Sequence, residues 1–373
     1  MTIFPLLCIL LAHGKACATD EDCSLNGVCN SGSCACDAGW RSEDCGELDL
    51  YPARKGSGYN HTDYIGSDFY DITGAGNSSW CGEIIQDRNN KTHFHMIVSQ
   101  FSHGCGLNRW KPFSTVIRAS STTGPAGPYT WQQDVLPAWH HNPTWFWSEA
   151  DQKYLLYSIG DGLDLPTTCK AETLLNNVSV TTSTDLVNWD APKRLFTGKT
   201  NPAAMPLYTA ANQTSEILLA LEDNFIYRAD NYTSPYELAY TPTWNTSSYS
   251  PTWTEDPFLW RDKRGFFHIL AHYMIDITER GEKGPHVGVH LFARNYTGPW
   301  TFREKAAYNT TVQFTDGTSI DYYRRERPKV FFDNDRTPLY LVNGVSEEDS
   351  RASYTIVVPI GPAAAEYEKT LGF

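Results

Sequence analysis

Short apolar runs alternate with polar turns along most of the chain, and one arrangement of them recurs. Four units begin at a Pro that follows polar residues, at Pro143, Pro202, Pro257 and Pro328, and a fifth begins at Gly82 without the Pro. In each unit an apolar run is followed by a polar turn and a second apolar run. The units are spaced by roughly 60 residues, without long helical periodicity. The pattern therefore predicts repeated pairs of short β-strands.

A second repeat falls between these units. Gly-Pro or Ser-Pro followed by an aromatic residue occurs at 127–129, 234–236 and 298–300, and the stretch 185–189 takes the corresponding place in another unit. Each lies where the chain would return along an outer strand. The units therefore predict an all-β fold, a five-bladed β-propeller of four-stranded blades. A β-sandwich predicts no repeat of this length, and a parallel β-helix repeats at much shorter intervals.

The residue before each of these strands is expected to face a shared pocket. Pro is tolerated at the first residue of a strand, where no hydrogen bond of the ladder is donated. The innermost strands of a propeller begin at the central channel. We therefore predict that five residues converge there, namely Cys81, Asn142, Asn201, Asp256 and Arg327.

The N-terminal part of the chain differs from the rest because it is rich in cysteine. Ten Cys occur in the chain, and six of them lie within 17–45. That segment contains no Cys-x-x-Cys pair and no His, which favours a disulfide framework over a zinc site. The spacing, with Gly39 and Trp40 before the last Cys, resembles the EGF-like family. The resemblance implies the pairs Cys17–Cys29, Cys23–Cys34 and Cys36–Cys45.

Three cysteines remain in the large domain, which is an odd number. We expect a disulfide between Cys81 and Cys105, with Cys169 free or paired between chains. Cys169 could also displace either partner. The small module cannot bury enough apolar area to stay folded without its bridges, which contribute roughly 2–4 kcal/mol each.

The N-terminus and the sequons predict a secreted glycoprotein. Residues 1–12 form an uncharged apolar run, and the small residues Gly14 and Ala16 follow, as in a signal peptide. Disulfides also require an oxidising compartment. We predict a signal peptide at 1–16, an EGF-like module at 17–45, a linker at 46–59 and the propeller at 60–373. Nine sequons are expected on surface loops: Asn60, Asn77, Asn90, Asn177, Asn212, Asn231, Asn245, Asn295 and Asn309.

Charge and hydropathy limit the classes of partner that we expect for this chain. The net charge of -13 argues against nucleic acid, whose affinity comes from clustered Lys and Arg. The N-terminal apolar run is shorter than the roughly 20 residues that a membrane span needs, and no second apolar stretch reaches that length. We therefore expect no nucleic-acid and no membrane partner. The chain is 13% aromatic, which suits a β-rich core or a surface on which sugar rings stack.

The large domain resembles the five-bladed propeller glycosidases, the superfamily of glycoside hydrolase families 43, 32, 68 and 117. The resemblance is carried by 254–260 with 265–272, by the stretch 183–189 and by the Gly-Pro-aromatic strand ends. It implies a glycan substrate. Relatives often carry a central divalent ion, but no ligand set in this sequence predicts one. We therefore predict no metal site and no cofactor, and a structural divalent cation in the channel remains an open alternative.

Glycoside hydrolysis needs two carboxyl groups, one that protonates the leaving oxygen and one that activates water or attacks carbon. The resemblance places such groups at the heads of the inner strands. At those places this chain has Glu255 and Asp256 in the fourth unit and Glu326 in the fifth. We predict Asp256 and Glu326 as the acid and base, in either order, with Glu255 and Glu83 as alternates.

One strand head departs from the family 43 pattern. That family has an Asp at the head of the first blade, where this chain has Cys81. Glu83 serves instead, or Asp68 or Asp71 reaches in from the preceding loop, or the domain performs different chemistry.

Further residues near the strand heads are predicted to contact the substrate. They are Trp80, His141, Asn142, Asn201, Glu222, His272 and Arg327. Additional candidate sugar platforms are Trp110, Trp139, Trp145, Trp253 and Trp260, although core packing explains Trp145 and Trp260 more simply.

These observations favour a secreted, inverting glycoside hydrolase that acts on an extracellular poly- or oligosaccharide. The EGF-like module would act as a spacer or as an adaptor for a protein or cell-wall partner. The alternative is a non-catalytic carbohydrate-binding or adhesive propeller that retains the glycosidase fold. The acidic strand heads favour the enzyme, whereas the EGF-like module favours the alternative.

Overall fold

The protein is a five-bladed β-propeller with a small disulfide-rich module packed against it. The computed structural model describes residues 16–59, 78–170, 172–207, 214–274, 287–347 and 353–373. Five antiparallel sheets follow one another along the chain, and their first strands contact each other in a closed ring. The predicted fold class is therefore confirmed. The predicted signal peptide lies almost entirely outside the described residues, as do Asp68 and Asp71.

The blades are built from consecutive strands, each hydrogen-bonded to the next. Blade 1 contains β5 (Ser78–Gln86), β6 (Phe94–Phe101), β7 (Ser114–Ser121) and β8 (Thr130–Leu136). Blade 2 contains β9 (Trp139–Ser148), β10 (Lys153–Gly162), β11 (Asn177–Ser183) and β12 (Lys193–Thr197). Blade 3 contains β13 (Ala203–Pro206), β14 (Ile217–Ala220), β15 (Ile226–Ala229) and β16 (Glu237–Tyr240). Blade 4 contains β17 (Thr254–Arg261), β18 (Phe267–Tyr273), β19 (Val287–Ala293) and β20 (Thr301–Tyr308). Blade 5 contains β23 (Arg324–Phe332), β24 (Pro338–Ser346) and β25 (Tyr354–Pro359).

Smaller elements complete the fold. The N-terminal module holds β1 (Gly27–Asn30), β2 (Ser33–Cys36), β3 (Trp40–Arg41) and β4 (Glu47–Leu48). A hairpin of β21 (Thr311–Gln313) and β22 (Ser319–Asp321) precedes blade 5. The helices are a 3-10 turn at Leu107–Arg109, α1 (Trp110–Phe113) and α2 (Ala363–Leu371).

The middle strands explain why the sequence shows continuous apolar runs rather than alternation. Every residue of β6 and of β18 is buried, because each sheet packs both of its faces against neighbouring blades. Hydrophobic clusters fill the blade interfaces, and one of them joins Phe94 of blade 1 to Tyr340 of blade 5. This last interface closes the ring.

Each inner strand begins with the same backbone kink. On every blade, one residue at the head of the inner strand adopts a positive φ of +50° to +54°. These residues are Cys81, Asn142, Asn201, Asp256 and Arg327. The ladder between the first two strands shifts register just after the kink on blades 1, 4 and 5. A positive φ is uncommon for residues other than glycine, so its fivefold recurrence marks a shared local geometry. The kink re-aims these side chains toward the channel mouth.

The segment before the propeller closes the fifth blade. Tyr59 pairs with Thr355 through reciprocal backbone hydrogen bonds of 3.0 and 3.1 Å, and Tyr51 N–H donates to Pro359 O at 2.9 Å. Gly361 N–H donates to Asp49 O at 2.7 Å. These contacts run along the outer edge of β25, which has no fourth named strand. The predicted linker at 46–59 is therefore not a free tether, because it covers an edge that would otherwise be unpaired.

The EGF-like module is fixed to blade 4 rather than held at a distance. Its three predicted disulfides, Cys17–Cys29, Cys23–Cys34 and Cys36–Cys45, are confirmed. The ring of Trp40 lies 4.8 Å from that of His290. Asp37 pairs with Arg264 at 2.7 Å, and Asp44 pairs with Arg303 at 2.9 Å. This packing does not support a role as a flexible spacer.

The disulfide of the large domain differs from the expectation. Cys105 pairs with Cys169, with their Cα atoms 5.4 Å apart, so the predicted pair Cys81–Cys105 is wrong. The bridge ties the loop after β6 to the loop after β10. Among the described residues, Cys81 is the cysteine outside any disulfide, and it is fully buried at a strand head.

The sequons lie mostly where a glycan has room. Asn90, Asn245, Asn295 and Asn309 are exposed, and Asn231 is half-buried. Asn177 is the exception, because it is 3% exposed and its Nδ2 donates to Asp161. It therefore does not lie on a surface loop as predicted. Asn60, Asn77 and Asn212 fall outside the described residues. Among the described helices, none is long and apolar enough to cross a bilayer.

Candidate active site

The five kinked residues meet at one mouth of the channel through a continuous chain of contacts. The thiol of Cys81 lies 3.7 Å from Asn142 Oδ1, and Asn142 Nδ2 donates to Asn201 Oδ1 at 2.8 Å. Arg327 Nη1 donates to the same Asn201 oxygen at 3.2 Å. Arg327 Nη1 also pairs with Asp256 Oδ1 at 2.9 Å. The spacing of the repeats thus located a real cluster, in which Arg327 links blades 3, 4 and 5.

Four carboxyl groups surround this arginine. Glu222 follows β14, where its N–H pairs with Thr200, and its Oε2 accepts a hydrogen bond from Asn201 Nδ2 at 2.9 Å. The other three are Glu255 and Asp256 at the head of β17 and Glu326 at the head of β23.

His272 of β18 joins three of the four carboxyl groups. It pairs with Glu255 in the ladder between β17 and β18. Its Nδ1 lies 3.9 Å from Asp256 Oδ2 and 4.0 Å from Glu326 Oε2. One oxygen each of Glu255 and Asp256 and a ring nitrogen of His272 lie within 4.8 Å of one another. The structure therefore brings together Asp256, Glu326, Glu255, Glu222 and His272, all of which the sequence singled out.

The carboxyl groups do not share one protonation state. Burial, reinforced by the charge of Asp256, raises the pKa of Glu222 to about 7. Burial and then the charges of Asp256, Glu222 and Glu326 raise the pKa of Glu255 well above its usual range. Asp256 is paired with Arg327 at 2.9 Å, and Glu326 with Arg324 at 3.4 Å. The raised pKa of Glu255 thus favours its protonated form, while Asp256 and Glu326 are paired with arginines, a combination suited to acid-base catalysis.

Glu83 does not belong to this cluster. Its Oε2 accepts hydrogen bonds from Thr144 Oγ1 at 2.6 Å and from Trp145 N–H at 3.0 Å. It lines the cavity at the opposite mouth of the channel, with Phe258 and Met205. Burial raises its pKa, and the charge of Lys329 opposes that effect. The predicted role of Glu83 as an alternate catalytic carboxylate is therefore not supported, since the residue lies beyond the kink on the strand and faces away.

Trp80 is a core residue rather than a sugar platform. It is 1% exposed and packs with Phe101, Leu107 and Trp110. A Cβ added to Gly344 would lie 2.6 Å from its ring, so the fifth blade presses directly on it. Its predicted contact with substrate is therefore wrong, because the strand alternation turns the ring into the blade interface.

His141 is also enclosed by neighbouring side chains. Its Nδ1 lies 2.7 Å from Ser114 Oγ, and its ring lies 4.7 Å from that of Trp110, tilted by 34°. Burial, with the charges of Arg327 and Lys111, holds the pKa of His141 well below its usual range. The neutral imidazole of His141 packs against Trp110 and helps to hold that ring in place. A direct contact of His141 with substrate stays a prediction.

Lys111 is a residue near the site that sequence reasoning missed. This residue lies in the loop between β6 and β7, where its ammonium group stands over the rings of Trp110 at 4.7 Å and Trp139 at 5.6 Å. Burial lowers the pKa of Lys111, and the charge of Glu222 opposes this. The Trp-Lys-Pro run at 110–112 was the available signal. The ammonium group of Lys111, held over the two aromatic rings, is close enough to Glu222 for their charges to interact.

The arrangement fits a resident divalent cation poorly. Glu255, Asp256 and His272 are close enough to share one ion. However, the guanidinium of Arg327 already neutralises Asp256 at 2.9 Å. Calcium takes about six to eight oxygen ligands, so water molecules would have to supply much of its coordination here. The chemistry of the site is therefore derived from its own side chains.

Comparison with known proteins agrees with the fold. Residues 19–47 match the Teneurin-like EGF domain. No curated protein sequence is detectably similar to the chain. Among solved structures, the catalytic domain of the Coprinopsis cinerea GH62 α-L-arabinofuranosidase has a TM-score of 0.52 at 12% identity, with 76% of this chain and 90% of that chain covered.

Two bacterial structures are similar to the same degree. A glycosyl hydrolase from Bacteroides ovatus has a TM-score of 0.55 at 12% identity, covering 85% of this chain and 94% of that one. The GH43 protein BlXynB from Bacillus licheniformis has a TM-score of 0.51 at 11% identity, covering 78% of this chain and 54% of that one. The fold is that of the glycosidase propellers. At these identities the likeness concerns the fold, and the activity has to be argued from the site.

Proposed function

We propose that the protein is a secreted, inverting glycoside hydrolase that cleaves glycosidic bonds of an extracellular poly- or oligosaccharide. One observation carries the proposal: four carboxyl groups converge on Arg327 at one channel mouth, and two of them have raised pKa values while the other two are paired with arginines. The disulfide-bonded EGF-like module supports an extracellular location.

Glu255 is the proposed proton donor to the leaving oxygen. A general acid must hold its proton at the working pH, and the pKa of Glu255 is raised well above its usual range. It is half-buried rather than enclosed, so a substrate oxygen can reach it. The charge of the neighbouring Asp256 contributes to the raised pKa of Glu255.

Glu222 is the proposed base that activates water. Inverting pairs are separated by about 6.5–9.5 Å to leave room for that water. The oxygens of Glu255 and Asp256 lie within 4.8 Å, which is too close for such a pair. Glu222 stands on the neighbouring blade, is half-buried, and is oriented by Asn201 at 2.9 Å. The proposed acid and base are therefore Glu255 and Glu222 instead of the expected Asp256 and Glu326. Asp256 and Glu326 are assigned to adjusting the charge and position of the catalytic pair.

The proposal is tested with the purified protein on a panel of plant, fungal and algal glycans. The wild type is expected to release reducing ends, and NMR of the first product is expected to show the anomer opposite to the substrate's. Glu255→Gln and Glu222→Gln are each expected to lower kcat by at least about a hundredfold, the usual contribution of a positioned acid or base. Glu237→Gln, an exposed carboxylate on β16, serves as the control. Hydrolysis that survives both active-site substitutions would contradict the assignment.

A non-catalytic, carbohydrate-binding propeller is the second candidate. It is favoured by the neutral strand heads of blades 1, 2 and 3, where Cys81, Asn142 and Asn201 stand in place of carboxylates. Trp110, which is half-buried and has Lys111 above it, offers a ring for stacking. Binding of a panel glycan without release of reducing ends, weakened by Trp110→Ala, would decide for this candidate.

A further inference from the structure

A second cavity lies where the EGF-like module meets blades 4 and 5. Its volume is about 440 Å³, which falls in the range of about 300–1,000 Å³ typical of small-ligand sites. The module and the segment after it contribute Arg41 and Tyr51, and the propeller contributes Tyr308, Gln313 and Arg325. The cavity shares no lining residue with the candidate active site.

Arg325 is an unusual residue for such a wall. Its side chain is fully buried, and all its acceptors are neutral. Nε donates to Asn343 Oδ1 at 3.1 Å, and Nη1 donates to the backbone oxygens of Asn309 and Thr311 at 3.1 and 3.3 Å. The ring of Tyr308 lies 4.9 Å from the guanidinium carbon. None of these partners is a carboxylate, although a buried charge is costly unless it is paired.

One nitrogen of this guanidinium remains without a partner. Nη2 is buried and has no acceptor among the described residues. Arginine carries five N–H donors, and the two on Nη2 are those left over after the three bonds above. Burial lowers the pKa of Arg325 to about 10, so the group is charged at neutral pH. A cation with two donors that have no partner among the described residues therefore lies in the wall of this partly open cavity.

We propose that this cavity binds the oxyanion of a small acidic ligand, a carboxylate or sulfate group on a molecule of saccharide size, with Arg325 as the primary contact and Arg41 at the rim. The guanidinium fork suits both planar and tetrahedral oxyanions.

The rest of the lining agrees with this assignment. Glu47 is paired with Arg41 at 3.7 Å, so the three charged residues of the lining carry a net positive charge. Tyr51 offers an exposed ring for the apolar face of a sugar, and Gln313 offers an amide. Side chains alternate along β23, so Arg325 faces away from its neighbour Glu326, and an anion here is separated from the carboxylates of the active site.

The test is a binding measurement by calorimetry and thermal shift on the full disulfide-bonded chain. The probes are glucuronate, glucose 6-sulfate, inorganic sulfate and neutral glucose, each in buffer matched for ionic strength with NaCl. We expect glucuronate or glucose 6-sulfate to bind and glucose not to bind. Inorganic sulfate distinguishes recognition of the free oxyanion from recognition of an acidic sugar. The Asn309→Gln background removes the sequon at the cavity wall.

Four variants connect binding to the site. Arg325→Met is expected to weaken the Kd by about tenfold or more, since a hydrogen bond to a charged group is lost. Arg41→Ala, at a side chain 58% exposed that cannot disturb the core, is expected to weaken it by about threefold. Arg194→Ala, which removes a similarly exposed paired arginine, is the matched control and should have no effect. Asp256→Asn should leave binding unchanged.

Several results would overturn the proposal. Equal binding of glucose would mean that the oxyanion is not recognised, and a response reproduced by NaCl alone would mean an adventitious ion only. Loss of binding in Asp256→Asn would move the ligand to the active site. If Arg325→Met fails to fold, the comparison of Arg41→Ala with Arg194→Ala decides, and equal affinities of those two variants would refute the site.

Discussion

Replacing Glu222 by Gln should make the protein more stable while it abolishes hydrolysis. Partial burial of this carboxyl, reinforced by the charge of Asp256, raises its pKa to about 7 from an ordinary value of 4.5. Each pKa unit corresponds to about 1.4 kcal/mol, so ionised Glu222 destabilises the folded state by about 3–4 kcal/mol. Gln keeps an oxygen that can accept the hydrogen bond from Asn201 Nδ2 and removes the charge.

The sign of the effect fixes its pH dependence. Between pH 4.5 and 7 the folded protein retains a proton at Glu222 that the unfolded chain has lost. The free energy of unfolding of the wild type therefore falls as the pH rises through this window. The variant lacks that contribution. The two proteins should be about equally stable near pH 4.5, and the variant should be more stable above pH 7.

Urea unfolding followed by tryptophan fluorescence at several pH values, with the disulfides kept intact, measures this difference. Glu237→Gln is the control, because it removes an exposed carboxylate and should leave the free energy of unfolding unchanged at each pH. A Glu222→Gln variant no more stable than the wild type at pH 8 would refute the reasoning, as would a gain that does not vary with pH. Retention of hydrolysis would refute the catalytic role separately.

Further predictions concern activity, cysteines and the module. The activity of the wild type should fall below about pH 7, where the base Glu222 becomes protonated, as measured by kcat/KM against pH. Burial raises the pKa of the Cys81 thiol to about 11, so iodoacetamide should leave it unmodified in the native protein and alkylate it after unfolding, as mass spectrometry would show. Replacing Cys105 and Cys169 by Ser should lower the free energy of unfolding by about 2–4 kcal/mol, measured by urea titration. Asp44→Asn, which leaves Arg303 buried without its carboxylate, should cost about 3 kcal/mol and expose the module to limited proteolysis before the propeller; equal proteolysis of variant and wild type would contradict the docking argument.

Periodicity predicted the architecture because each blade repeats the same physical requirements. A Pro at 143, 202, 257 or 328 cannot donate to the ladder, so it marks the point where each strand turns from the channel mouth into the sheet. The same position in each repeat also predicted which five residues converge. The EGF-like disulfides could be predicted for a different reason, because the cysteine spacing resembles that of the EGF-like family and the resemblance implies the pairing.

The direction in which individual side chains point and the pairing of distant cysteines could not be predicted from periodicity. Glu83 and Trp80 lie near the kink at Cys81, and a sequence does not show which of such neighbours point into the mouth. The partner of Cys105 depended on the loop after β10 folding back, a tertiary fact with no local signal. The roles of the carboxyl groups also depend on their mutual distances. Asp256 and Glu326 look equivalent to Glu222 and Glu255 until Arg327 and Arg324 are placed beside them.

The pairing of residues 49–59 with β25 also bears on how the molecule is made. On the ribosome this segment emerges long before the last blade, so its backbone donors and acceptors wait until about 300 residues have been synthesised. During that interval the growing propeller is an open ring with an unsealed edge, and the module has no complete surface to dock on. Chaperone engagement should therefore persist until the C-terminal strands have left the exit tunnel, and a nascent chain stalled before Tyr354 should remain sensitive to proteases.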